Sequence, residues 1–469
     1  NLGISKPEQT HDKLVSMTHA LITGEPNQWK LNGRMKTPNS IDNGSAGWWS
    51  GNASDTNGDI TETLTATFAQ PQSSKGFTLV FDDKADEYIT DFNLSTYDNA
   101  DNLITTIHIT DNTESVRVVN LQSDNYYKVV FTANKTSSPQ RYVRVCELVF
   151  GFLKYFNAQN IKEVGISHEI DPSMQALPSA VVDITINNAN RDYNILNPTG
   201  VYAYLQKGQG LNTVLRIGNE DINTGRYYFE TAKSSNGSLT ATITAYDRFM
   251  TLDKTRCNIG VTGTWTLTEA VAAGIADSGL SITADIPAGI GARVINKCIP
   301  LNTTHREALR LISQAGKCVC CFDREDKLVF FDPVISTAVD TLDTDKILTF
   351  PEAIDNGLVN TVEITARDDF ADTETVYTAN NVQADEEARV LAIDNPLVTS
   401  NDVATWLLGV VGMRYEYSVS DRGNPAREIG DSISIADAYN SNATGILIQQ
   451  RLVYNGGLTS EIRTVTNNA

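Results

Sequence analysis

Long apolar runs are missing from this chain. No stretch of about 18 consecutive apolar residues occurs, the length a helix needs to cross a bilayer, so no spanning helix is expected. No basic n-region followed by an apolar h-region opens the sequence. It starts at Asn1 rather than Met, as expected of a portion of a longer protein. Cysteine is sparse. The six residues Cys146, Cys257, Cys298, Cys318, Cys320 and Cys321 in 469 are too few for a disulfide-stapled scaffold. Only Cys318-Val319-Cys320-Cys321 forms a cluster, and it lacks the paired C-x-x-C spacing that gathers four tetrahedral ligands around zinc. On a strand Cys318 and Cys320 face one side and Cys321 the other. Burial as small apolar side chains is therefore the expected role, and no metal or cofactor is expected.

Histidine is scarcer still: His11, His19, His108, His168 and His305. None lies in a G-x-S-x-G, H-E-x-x-H or Cys-His context. His305, in the first turn of an expected helix, reads as a surface group. No Ser/His/Asp set is legible. Carboxylates are too many for a glycosidase pair to be excluded by counting, yet nothing singles a pair out, and no enzyme is expected. Positive charge is short as well: 37 Lys and Arg against 57 Asp and Glu give −20. Binding phosphate backbones needs a basic face, so nucleic acid is not expected as a surface ligand.

What is present is β-pattern. A chain of 469 residues with 41% hydrophobic content can bury several cores and suits about three domains. Residues 7–22 predict an amphipathic helix, with Leu14, Met17, Thr18 and Leu21 on one face and Gly24-Glu25-Pro26 as its stop. From Trp29 to Gly151 short strands (Leu64–Phe68, Phe77–Phe81, Phe92–Tyr97, Tyr127–Phe131, Tyr142–Phe150) alternate with Asn/Asp/Gly/Ser turns, the pattern of a sandwich or jelly roll. Asp55-Thr56-Asn57-Gly58-Asp59 lacks the twelfth-position Glu of a calcium loop and reads as a turn. A second β-rich stretch, 152–254, holds Ala180–Ile186, Val201–Leu205, Tyr227–Thr231 and Leu239–Tyr246.

Helical signals then intrude. Thr266-x-x-Glu269 predicts a capping box opening a helix to about Ser278. Thr304-x-x-Glu307 opens another, with Ala308, Leu311, Ile312 and Ala315 on one face and Gly316 as its stop. A hairpin over Cys318–Phe322 and Leu328–Phe331 completes an α+β region at 255–345. The last region, 346–469, is β again, with one helix near 401–413. Its strands Tyr415–Val419, Ser432–Ile435 and Gly445–Leu452 are divided by Arg422-Gly423-Asn424-Pro425, Ile429-Gly430-Asp431 and Asn455-Gly456-Gly457, residues that tolerate positive φ or fix φ. The acidic residues Asp368, Asp369, Asp372 and Glu374, then Asp385, Glu386 and Glu387, read either as a solvated face or as part of a channel lining.

Two resemblances add to this. The closing run with Arg422-Gly423-Asn424-Pro425-Ala426, Gly430-Asp431 and Tyr454-Asn455-Gly456-Gly457 resembles the β-barrel of tail-hub proteins from long-tailed phages and phage-like particles. Thr304–Phe330 and Ile243–Phe249, followed by Leu252-Asp253-Lys254, are similar to the insert of the same family. The likeness covers about 152–469 in the order barrel, α+β insert, barrel, and implies hub β-barrels at 152–254 and 346–469 flanking the insert. It further implies a homotrimer whose six pseudo-equivalent barrels adapt a sixfold tail tube to a threefold tip. Tail tube and distal tail proteins, a tape-measure protein and a tip or spike protein would be its partners, at a virion tail tip assembled in the bacterial host cytoplasm. DNA would transit without specific binding.

Residues 27–151 resemble a different family, the galactose-binding-like jelly roll of discoidin domains. Ala46-Gly47-Trp48-Trp49-Ser50 sits where such domains carry a Trp on the first binding-side loop. Trp48 and Trp49 are therefore candidate carbohydrate-binding residues. One is expected to face inward and the other outward, its ring matching the C–H face of a host cell-wall sugar. The expected whole is mainly β: a helical segment (1–26), a jelly roll, and two hub barrels around a small α+β domain. The alternative reading is a secreted carbohydrate-binding protein or an accessory module of a glycoside hydrolase. A cell-wall enzyme is a third.

Overall fold

The computed structural model describes residues 47–467 except 83–86, 152–155, 157–159, 195, 198–204, 206, 218–219, 235–237, 260–262, 369–371, 382–388 and 437–441. The helix expected at 7–22, residues 27–46, most of Val201–Leu205, and Asp369, Asp385, Glu386 and Glu387 lie outside them. The protein is mainly β, with 28 strands and five helices among the described residues. It divides into two units, 1–155 and 156–469.

The first unit is built from antiparallel sheets. One has the order Asp59–Ser74, Ser123–Thr136, Ile89–Tyr97, Leu103–Ile109. A second has the order Val116–Val119, Phe77–Val80, Glu147–Val149. Trp48–Ala53 pairs with Tyr142–Val145. Their inward residues, among them Phe77, Leu79, Phe92, Leu94, Phe131 and Leu148, make one core with no solvent exposure at these positions. Rings meet edge-on or tilted, as Phe68 does with Phe150 at 4.9 Å between centroids, the geometry the ring quadrupole favours. Asp55-to-Asp59 is a turn: Asp55 Oδ1 accepts from the amides of Asn57 and Asp59 at 2.8 Å, and Gly58 takes φ +86°.

In the second unit the helical signals hold. Leu267–Ser278 is capped by Thr266, whose hydroxyl accepts from the Glu269 amide while the Glu269 carboxylate accepts from the Thr266 amide. His305–Ala315 starts at Thr304, whose hydroxyl accepts from the Glu307 amide, and ends at Gly316. Its apolar face, with Ala308, Leu311 and Ile312, lies in the unit's largest core. The hairpin Val319–Phe322 and Leu328–Phe331 turns where Asp323 Oδ1 accepts from the amides of Glu325 and Lys327.

Two features depart from the block-by-block reading of the sequence. The β regions on either side of the insert share one sheet, because Ile161–Glu169 pairs antiparallel with Asn442–Tyr454. Segment 359–411 also leaves the C-terminal β region. Strands Val359–Asp368, Thr373–Asn380 and Arg389–Asp394 form their own sheet, and Val362, Ile364, Val403 and Leu407 join the core of the insert. Asn395 fastens this segment, donating from Nδ2 to Leu311 O and Gln314 Oε1 at 3.0 Å each. Such pairings link positions some 80 to 280 residues apart, and no local periodicity announces them.

Strand Asn442–Tyr454 changes partner along its length. Asn442–Ile446 pairs with Ser432–Ala436, and Gln449–Tyr454 pairs with Ile161–Glu169. Between them, Gly430 N donates to Leu447 O and Leu447 N to Asp431 O. Gly430 sits at φ +94°, and an added Cβ would lie 2.6 Å from the Phe331 ring. Gly430→Ala is thus expected to destabilise the unit by about 2–4 kcal/mol, from backbone strain and overpacking together. Urea denaturation of the two proteins measures it, and a change below about 0.5 kcal/mol would refute the placement.

Candidate functional site

Strand Trp48–Ala53 positions the aromatic pair. Trp48 packs against the core of the first unit. Trp49 follows on the other face and stacks on the Arg144 guanidinium, 4.4 Å from its ring centroid. The Tyr142 ring is 6.2 Å away, tilted by 34°. Arg144 is itself buried and paired with Asp82 at 3.4 Å and with Glu87. Glu87 also pairs with Arg141 at 2.8 Å. A bridging cluster of this kind fixes the guanidinium plane, and through it the Trp49 ring. Both rings are half-buried, on opposite faces of the strand.

The second unit holds a cavity of about 250 Å³ where the N-terminal strands, the insert hairpin and the C-terminal loop converge. His168, Asp247, Cys321, Arg324, Arg427 and Gln450 are among its walls. Each polar group is engaged by a different segment. His168 Nε2 is 2.7 Å from the Tyr227 hydroxyl, which donates to Thr224 O at 3.1 Å. The two Asp247 oxygens accept from the amides of Ala180 and Phe249 at 2.8 and 3.0 Å. Arg324 donates to Arg427 O. Gln450 donates to Asn424 O at 3.2 Å.

Behind the cavity, the loop that the sequence marked by Arg422-Gly423-Asn424-Pro425 closes on a buried clamp. Arg427 donates to Asp340 at 2.8 Å and to Asp421, and Asn424 donates to Asp340 at 2.9 Å. Burial pushes the Asp340 carboxyl up, but the bonds from Asn424 and Arg427 and the charge of Arg427 prevail and hold it at about 2. The sequence reading missed this clamp. Arg427 lies within the legible motif, but Asp340 is 87 residues away.

These environments shift titrations in opposite senses. Burial, helped by the Arg324 charge, lowers His168 to about 4. Burial raises Asp247 to about 7 despite its amide bonds, and it raises the Tyr227 phenol above its usual range. Cys320 is pushed up to about 12 by burial, and the Cys318 and Cys321 thiols also rise. Cys318 and Cys320 are fully buried in the insert core, the expected apolar role. Thiols so protonated make poor nucleophiles. His305, expected at the surface, is buried instead, because residues 255–257 lie along residues 303–305.

His168 carries a pH test. The unfolded imidazole binds a proton near 6.5 but the folded one only near 4, so its contribution to stability is lost as pH falls through that window. Asp247 acts oppositely, costing stability as pH rises from about 4 to about 7. Since the His168 ring faces the cavity, its share is about 1–2 kcal/mol. His168→Gln keeps a hydrogen-bonding group towards Tyr227 and removes the titration. The stability gap between wild type and variant is expected to narrow from pH 7 to pH 4.5 in urea melts; a constant gap contradicts it.

No protein-family model matches this chain, and no curated protein sequence matches it. Among solved structures, it is similar to the 43 kDa tail protein of prophage MuSo2 from Shewanella oneidensis, with 16% identity and a TM-score of 0.47 over 66% of this chain and 94% of that one. A tail protein from Neisseria meningitidis MC58 overlaps with 14% identity and a TM-score of 0.47 over 66% and 93%. Prophage tail protein gp18 from Listeria monocytogenes EGD-e overlaps with 10% identity and a TM-score of 0.43 over 81% and 94%.

Proposed function

We propose that this protein is a structural component of a phage tail or phage-like particle, a tail-tip hub that forms a trimeric ring. The observation that carries the reading is the joint in the second unit. Two β regions flank an α+β body and are tied together by one shared strand. The loop beside that strand carries the hub-like residues Arg422-Gly423-Asn424-Pro425 and Gly430-Asp431, and within it Asn424 and Arg427 clamp Asp340 while Arg427 also holds Asp421. The polar groups around the cavity serve as fastenings between segments, which suits a load-bearing part. In this reading tail tube, distal tail, tape-measure and spike proteins are its neighbours. Three copies at −20 carry −60, a charge that repels a passing DNA backbone rather than holding it. Light scattering on the purified chain is expected to give three times 51.3 kDa. A stable monomer that also fails to assemble with the tail proteins encoded beside it would overturn the hub role.

A host-glycan role for the first unit is favoured by Trp49, held on the Arg144 guanidinium beside Tyr142. An aromatic face fixed in this way suits stacking on a pyranose. Trp49→Ala is expected to weaken binding to the cognate glycan by about 1–3 kcal/mol, read on a glycan array and by calorimetry. Equal binding by a folded variant would leave this unit with a scaffolding role.

A further inference from the structure

Three ligand-type side chains meet in the insert, away from the cavity. Cys257 lies just after the short helix Phe249–Leu252, Asp277 in the last turn of Leu267–Ser278, and His305 at the first position of His305–Ala315. Their ligand atoms all lie within 4.8 Å of one another. His305 Nε2 is 3.0 Å from Asp277 Oδ2, and its Nδ1 is 2.8 Å from the Thr255 hydroxyl. The Asn258 amide donates to the same Asp277 oxygen at 2.7 Å. Cys257 and His305 are both buried.

We propose that Cys257, Asp277 and His305 form a site for a divalent transition metal, zinc by preference. The donor set is one thiolate, one imidazole and one carboxylate, each a common zinc ligand. Tetrahedral zinc at usual bond lengths puts such ligand atoms about 3.4–3.6 Å apart. Asp277 and His305 would open by a few tenths of an ångström and the thiol would close by at most about 1.4 Å. The neighbours needed to aim a ligand are in place: Thr255 holds the far imidazole nitrogen, and the Asn258 amide holds the carboxylate. Asp277 sits where the helix carries its partial negative charge, with no basic residue in that turn, so a cation there is favoured. Asp277 is the exposed member, and the fourth position opens on its side, toward water. Burial keeps the Cys257 thiol protonated, so metal binding forms the Zn–S bond and releases that proton to solvent. The metal would clip together the entry to the insert and the ends of two of its helices.

The test uses the full chain, stripped with chelator, loaded with zinc and desalted, and metal analysis by mass spectrometry is expected to find about one zinc per chain. Cobalt(II) loading should give a thiolate charge-transfer band that is absent in Cys257→Ala and retained in Cys298→Ala. Asp277→Asn, at the partly exposed ligand, should fold and bind zinc at least tenfold more weakly. Zinc should raise the melting temperature of wild type and not that of His305→Asn. Wild type that desalts metal-free with an unchanged melting temperature overturns the proposal, as does a cobalt–thiolate band that survives Cys257→Ala. The readouts concern the metal alone, so their failure leaves the hub reading intact.

Discussion

Strand Asn442–Tyr454 cannot shift without disturbing three cores at once. Ile446 and Ile448 enter the insert core, Leu447 the C-terminal β core, and Leu452 the core of the N-terminal strands. Burying four such side chains is worth about 6–12 kcal/mol in transfer free energy, comparable to the whole net stability of a domain. A one-residue slip would turn each to the wrong face. Register is therefore fixed where the strand changes partner, and Gly430, Asp431 and Ile170 are bonded to its backbone there.

The second constraint is electrostatic. Arg427, Asp421 and Asp340 are withdrawn from water together, and Arg144, Asp82 and Glu87 are likewise in the first unit. Desolvating ions costs several kcal/mol each, so these clusters add little net stability compared with apolar packing. Removing one member is the expensive event. Such groups specify which segment meets which. The His168 and Asp247 shifts have the same origin: groups drawn into a junction by their backbone and side-chain bonds.

Much of this was legible in the sequence, and the legible part was local. Capping at Thr266 and Thr304, the Asp323 turn, the Asn455-Gly456-Gly457 hairpin and the alternating strands depend on residues within a few positions of one another, where propensity and hydrogen-bonding chemistry act. That Trp48 and Trp49 lie on opposite faces of their strand follows from its two-residue period. Tertiary structure alone decided that Ile161–Glu169 would pair with a strand 280 residues later, that segment 359–411 would complete the insert core, and that His305 would be buried against Cys257 and Asp277. Asp340 was an unremarkable carboxylate until Arg427 folded onto it. These outcomes turn on which apolar faces and which charges meet after the chain has closed loops of tens to hundreds of residues. That choice is made by summed burial and desolvation over the whole unit, so no window of sequence contains it.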